Sequence, residues 1–330
     1  IPAWEGLYVT ADNVTLRSLS GQRENVVIQG LGMEEGAEVS HGFLVGGSNF
    51  VLENLTIRNV RNHGVQVQGE LNADNPVFRN LIFQNTGEQM LKGSYNDANL
   101  AAGSDGGLVE NCLFEYTAGV GPRYYIGGID VHNGKNWIVR GNTFRFIQNP
   151  GVAGDEDGPS EHAVHFWSGS VNTLVERNLI VDCDRGIGFG LGDRGHEGGI
   201  IRNNMIYSSG SGAFGDVGIG LENASHAEVY NNTVYLENGY SNALEIRFAG
   251  TAGGFVRNNL TNRNIATRDG GTAVQSSNVT NALASWFVNV GEGNLRLASE
   301  VPGVVDAGEA LEGLTNDFDG SSRPVGGGYD

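Results

Sequence analysis

An apolar phrase with one asparagine inside it recurs along this chain, as VLENLTI around Asn54, VFRNLIF around Asn80, IVRGNTF around Asn142, VERNLIV around Asn178, IRNNMIY around Asn204, VYNNTVY around Asn232 and VRNNLTN around Asn259. The steps are 26 to 36 residues, or twice that where Cys112 of VENCLFE takes the asparagine's place. Within each phrase apolar residues alternate with period two, the signature of a strand and not of a helix. A repeat of this length built from short strands and turns stacks into a solenoid. Stacking sets the asparagines one above another at about 4.8 Å, where each side-chain amide can donate to the next and satisfy buried turn groups. The fold class expected is all-β, a right-handed parallel β-helix with an internal asparagine ladder.

Fifty-two glycines and seven prolines in 330 residues suit many tight turns. No apolar run approaches the roughly 20 residues of a membrane span. A solenoid lengthens one core as coils are added, so a single domain over 1–330 is expected, with 262–330 as its irregular C-terminal capping segment. The formal net charge of −18 argues against nucleic acid as a partner, because phosphate binding needs a basic stripe. The only lysines are Lys92 and Lys135. Cys112 lies in the ladder and Cys183 in a turn two coils on, so no disulfide is expected. The chain starts at Ile1 without Met, and the expectation is a secreted or periplasmic monomer from which a leader has been removed.

Each coil carries a second strand, and here the outward residues are chemically rich. The apolar members Val65, Val67, Ile129, Val131, Val164, Phe166, Ile187, Phe189, Ile219, Leu221, Leu244 and Ile246 point inward. The residues between them face solvent: Gln66 and Gln68, Asp130 and His132, His165 and Trp167, Gly188 and Gly190, Gly220 and Glu222, Glu245 and Arg247. Lys92 joins this column, because the other register would bury an unpaired ammonium at a cost of several kcal/mol. Lys92, Asp130, His132, His165 and Trp167 then fall within about 10 Å on one rigid face beside a depression left by paired glycines. A cation, a carboxylate, two imidazoles and an aromatic platform are the makings of a carbohydrate site. Long loops flank the patch and bring Arg123, Tyr124 and Tyr125 from one side and Asp155, Glu156 and Asp157 from another. The acidic triplet could bind Ca²⁺, although it lacks a recognisable ligand spacing and reads first as a solvated loop. Asp130, His132 and His165 could ligate a transition metal, but no motif demands one. No cofactor is certain, and Ca²⁺ is the one the acidic loop could take. His41, His63 and His162 read as corner histidines outside the reacting groups, Arg194 and His196 as the far wall of the groove, and His226 as surface.

The ladder and strand pattern resemble the right-handed β-helix proteins that include pectate and alginate lyases, mannuronan C5-epimerases and several glycoside hydrolases. GIDVH at Gly128–His132 is similar to the YGFDPH segment of the epimerases, with Lys92 from an earlier coil. Two positions depart: Val131 replaces the proline, and Gly127 stands where that family has a tyrosine. VVDAG at Val304 and DFDGSSRPVGGGYD at Asp317–Asp330 resemble the terminal segments of exported bacterial β-helix proteins. The resemblance implies an acidic, uronic-acid-containing polysaccharide as substrate and a lyase or epimerase reaction through the C5 proton. Lys92 and Arg123 would then neutralise the sugar carboxylate, His132 or His165 act as base with Asp130 orienting it, Tyr124 or Tyr125 protonate, and Trp167 stack on a sugar, with Gln66, Gln68, Arg194, Glu222 and Arg247 lining the cleft. A glycoside hydrolase and a non-catalytic glycan-binding β-helix or adhesin are the alternatives.

Overall fold

A computed structural model of the chain describes residues 6–96, 101–154, 158–324 and 326–329. Short strands stack coil on coil into three long parallel sheets, here called A, B and C, of ten, ten and nine strands. One coil illustrates the rest: Leu91–Ser94 lies in sheet A, Leu108–Glu110 in sheet B and Leu113–Glu115 in sheet C, after which the chain returns to sheet A at Ile129–His132. The expected right-handed parallel β-helix is the fold found, wound in the sense that parallel crossovers strongly prefer.

Alternation fills the interior. Val65, Val67, Ile129, Val131, Val164, Phe166, Ile187, Phe189, Ile219, Leu221, Leu244 and Ile246 are all buried in one continuous core. Phe83, Phe114 and Phe144 stack from coil to coil with ring centroids 4.7 Å apart. Removing such a ring by substitution with Ala typically costs about 3–5 kcal/mol.

From the strand Val51–Glu53 onward two residues join each sheet B strand to its sheet C strand, and they do different jobs. The first adopts a left-handed conformation, as in Asn111 (φ 56°), Gly141 (φ 64°) and Asn203 (φ 55°). Asparagine and glycine are the residues that enter this region most readily. The second points inward and carries the buried ladder. The Nδ2 of Asn142 donates to Oδ1 of Asn178 at 3.0 Å, and the relay continues through Asn204, Asn232 and Asn259 to Asn278. Each Oδ1 also accepts the preceding ladder residue's backbone N–H, and Cys112 N–H joins in this way to Asn142. Asn54 and Asn80 do not belong to this column. They hold the left-handed position (φ 60° and 51°), bond to each other at 2.7 Å nearer the surface, and leave Leu55 and Leu81 in the buried place. The repeated phrases align on the strand ends, and in these two coils the asparagine comes one residue early.

On its outer face sheet B alternates in sign from coil to coil: Glu53, Arg79, Glu110, Arg140, Glu176 and Arg202 sit in register. Arg79 binds Glu53 at 2.6 Å and Glu110 at 2.5 Å, Arg140 binds Glu110 at 2.8 Å, and Arg202 binds Glu176 at 2.8 Å. The forked guanidinium suits a cation that faces carboxylates on two sides.

The segment expected to be irregular from 262 still supplies strands Asn264–Arg268 to sheet A and Ala273–Ser276 to sheet B. Beyond them the chain turns back. The antiparallel pair Phe287–Asn289 and Asn294–Leu297 packs Phe287 and Leu295 against Val181, Met205, Tyr207, Tyr235 and Leu260 of sheet C. These sheet C residues alternate with core residues, so the segment covers the outer face of that sheet. Cys112 and Cys183 are both free and buried.

Candidate functional site

The expected register of sheet A holds at every point that matters for the site. Lys92 pairs with Gln66 and Asp130, Asp130 with His165, His132 with Trp167, and His165 with Gly188. These side chains leave the sheet on its outer side, yet the expectation that they face solvent fails. Asp130 is 2 % exposed, His132 8 % and His165 0 %. They are roofed by side chains from neighbouring strands and from the loops between coils.

Lys92 and Asp130 form a close ion pair, and the Lys92 ammonium also donates to His132 Nε2 at 2.8 Å. An ammonium has no lone pair, so His132 Nε2 must be the acceptor and the ring's proton sits on Nδ1, which faces Ser168 Oγ at 3.3 Å. Burial holds the His132 pKa below its ordinary value, against the pull of Asp130, so the ring is neutral near pH 7. Burial also works against the Asp130 anion, but Lys92 and then His132 overcome it and the carboxyl stays well below the usual range. The Lys92 pKa is raised: burial opposes the charge, and Asp130 followed by Tyr125 outweighs it. The second Asp130 oxygen accepts the Trp167 indole N–H at 2.7 Å.

Several expected roles change. The Trp167 ring is stacked on His165 at 5.1 Å and approached by the Arg194 guanidinium at 5.4 Å, so it is a structural partner of the imidazoles more than a free sugar platform. Arg123 does not join Lys92; it donates to Gly87 O at 2.7 Å and to Glu88 at 3.2 Å. Tyr125 is 38 % exposed beside Lys92, with Tyr124 packed against it at 5.9 Å. Gln66 and Gln68 continue the same face and are partly exposed. Arg194 lies over the Trp167 ring and donates to Tyr95 OH at 3.2 Å, while His196 is buried, stacked on Phe189 at 4.0 Å and bonded to Thr173 at 2.9 Å. His63 behaves as a corner histidine bonded to Gln89 O at 2.9 Å, and His226 is exposed. Asp155, Glu156 and Asp157 lie outside the described residues.

The glycine depression exists, displaced by one strand. A Cβ at Gly188 would stand 2.7 Å from His162 Nε2, so the space over Gly188 is filled by the His162 ring. The open part, a cavity of about 290 Å³, lies over Gly190 and Gly220, with Glu222, Glu245, Arg247 and His162 among its walls. Its described carboxylates are matched by arginines: Asp216 by Arg185 at 2.9 Å, Glu222 by Arg247 at 2.7 Å and Glu245 by Arg268 at 2.9 Å.

Three site residues escape a reading of the sequence. Tyr95 stacks on His132 at 4.9 Å from the loop after the Lys92 strand, and nothing in its loop marks it. His162 is misplaced because counting back from Val164 by twos puts it inward, and Glu161 beside it carries no assignment. The strand begins only at Val164, and in the turn before it Ala163 takes the core position, so His162 swings out onto His165 at 4.4 Å. The visible signal is Glu-His-x-x-His itself.

The family described as right handed beta helix region matches residues 24–164, a stretch that includes Lys92, Asp130, His132 and His162. No curated protein matches the chain. The right-handed β-helix class includes carbohydrate-active enzymes, and the likeness carries the fold with it.

Proposed function

We propose that this protein is an exported polysaccharide lyase or C5-epimerase that acts on a uronic-acid-containing glycan, with Lys92, Asp130 and His132 as its reacting centre. The observation that carries the reading is the single ammonium shared by a buried carboxylate and a neutral imidazole. Both reactions require the sugar carboxylate to be neutralised so that the C5 proton becomes acidic. Lys92 has three N–H donors and spends two on Asp130 and His132, which leaves one for the substrate carboxylate. As Lys92 turns toward that carboxylate, the His132 Nε2 lone pair is released and takes the C5 proton. The imidazolium so formed is stabilised by Asp130, whose Oδ2 lies 3.5 Å from Nε2. In elimination the C5 electron pair forms the C4–C5 double bond as the C4–O bond breaks, and Tyr125 protonates the departing oxygen. In epimerisation Tyr125 instead gives its proton to C5 from the face opposite His132, and solvent restores both groups. His165 is sealed from substrate and supports Trp167 and Asp130. Gln66, Gln68 and Arg194 line the approach to Lys92, while Glu222 and Arg247 line the glycine cavity.

A charged polymer does not pass a bilayer unaided, so an extracellular or periplasmic location goes with this reading. A hydrolase is the weaker reading, since it needs one protonated carboxyl acid near a second carboxylate. Each described carboxylate of the cavity is instead tied to an arginine.

The test is to incubate the protein with alginate, pectate, glucuronan, glycosaminoglycans and neutral glycans, following the ultraviolet absorbance of unsaturated uronides, new reducing ends and solvent deuterium entering C5. Elimination raises the first two signals and epimerisation only the third; Lys92→Ala and His132→Ala should abolish either. Reducing ends without absorbance or exchange would establish a hydrolase, and silence in all three would leave a binding protein.

A further inference from the structure

One buried cluster outside the Lys92 centre is electrostatically unfinished. Glu161 Oε2 lies 3.6 Å from His165 Nδ1 and 3.9 Å from His162 Nδ1, and one donor atom from each residue falls within 4.8 Å of the others. All three of these atoms are buried without a hydrogen-bond partner. His165 is fully buried and His162 is 6 % exposed. Buried polar atoms are nearly always satisfied, so three convergent exceptions call for a physical reason.

The tautomer of His165 supplies it. Its Nε2 stands 3.2 Å from the carbonyl oxygen of Gly190, which can only accept, so Nε2 carries the proton. In the neutral ring Nδ1 is therefore a lone pair. It faces two carboxylate oxygens, Asp130 Oδ1 and Glu161 Oε2, each at 3.6 Å. A lone pair aimed at two anions is repulsive, and a cation between them reverses the sign. A proton on Nδ1 suits the spacing poorly, because N–H···O bonds fall at about 2.7–3.2 Å. A tetrahedral metal with ligands at about 2.0–2.1 Å holds its donors roughly 3.3–3.4 Å apart, so the pairs at 3.6 and 3.9 Å would draw in by a few tenths of an ångström around an ion.

We propose that Glu161, His162 and His165 form a binding site for a divalent first-row transition metal of the zinc class. Two imidazoles and one carboxylate are the ligand set such ions favour over the all-oxygen shell of Ca²⁺. The Gly190 carbonyl fixes the His165 tautomer from the non-ligating side, and Asp130 Oδ1, 3.6 Å from the same Nδ1, adds negative charge beside the ion. Gly188 gives up its side chain to seat the His162 ring. His162 turns Nδ1 toward Glu161 and Nε2 toward Gly188 and the cavity beyond it. The site does not depend on the identity of the glycan.

The test uses the untagged full chain, stripped by chelator and titrated with Zn²⁺ by calorimetry, and separately with Co²⁺ by visible absorption. One Zn²⁺ per chain is expected, with a Co²⁺ d–d band of a low-coordinate nitrogen and oxygen site and a Zn²⁺-dependent rise in Tm. Glu161→Gln and His162→Ala should each weaken Zn²⁺ binding at least 100-fold, while His226→Ala leaves it unchanged. Absence of stoichiometric uptake by the wild-type chain would overturn the proposal without recourse to variants. So would uptake by folded Glu161→Gln equal to that of the wild type.

Discussion

Replacing Lys92 with Met tests whether the ammonium is bound where the chemistry needs it. Asp130 is 2 % exposed and is held by two donors, the Lys92 ammonium and the neutral Trp167 indole. Lys92→Met leaves a buried anion with the indole alone, and breaking one side of a buried pair costs about 3–5 kcal/mol. Asp130→Asn strands the ammonium instead. The Lys92 side chain retains 12 % exposure and can turn toward water, so that loss should be smaller, about 2–3 kcal/mol. In the double variant no charge remains, Trp167 still donates to the oxygen of the introduced amide, and the amide N–H can donate to His132 Nε2. Its cost should fall to about 1–2 kcal/mol, well below the sum of the single losses, which gives a coupling of about 3 kcal/mol or more. Urea unfolding of the four proteins, followed by tryptophan fluorescence and circular dichroism, measures it. A coupling under about 1 kcal/mol would show that the two charges are not paired, and the proposed delivery of Lys92 to a substrate carboxylate would fall with it.

Asn178→Leu should cost about 3 kcal/mol in thermal or urea unfolding, because the backbone N–H and one amide N–H of Asn142 lose their acceptor while Leu fits the column as Leu55 and Leu81 do. A loss under about 1 kcal/mol would mean the ladder only fills space. Stability should decline as pH drops from about 6.5, since burial lowers the His63 and His196 pKa values to about 3. Between those values the unfolded chain holds the extra proton, so each ring removes about 1.4 kcal/mol per pH unit, and His196→Gln should flatten the Tm-against-pH slope; an unchanged slope would refute this. Gly188→Ala should displace the His162 ring at a cost of about 1–3 kcal/mol, visible as a shifted His162 imidazole resonance. A silent substitution would place His162 elsewhere.

The strand periodicity makes the solenoid and the register of sheet A legible, because a slip of one residue would put Lys92 and Asp130 into the core. What cannot be read is the roof. Period-two counting says which side of the sheet His165 leaves from, but not that Trp167, Glu161 and His162 will close over it. It also loses meaning in turns, and both misplacements arise there. Asn54 sits one residue early in a two-residue corner, and His162 lies in a turn where strand parity does not apply. Arg123 illustrates a third limit: the loop brings it to the neighbourhood, where Glu88 and the Gly87 carbonyl take up its donors.

The alternating charges on sheet B set a rule for how a molecule of this kind can grow. The asparagine relay is the same from Asn142 to Asn259, each coil donating to its successor, so it would tolerate the gain or loss of one coil. The row Glu53, Arg79, Glu110, Arg140, Glu176, Arg202 would not. Deleting a single coil from it brings glutamate beside glutamate or arginine beside arginine at strand spacing, whereas deleting two restores every pairing. Along this stretch the length of the solenoid changes by even steps, as a crystal of alternating ions grows by formula units.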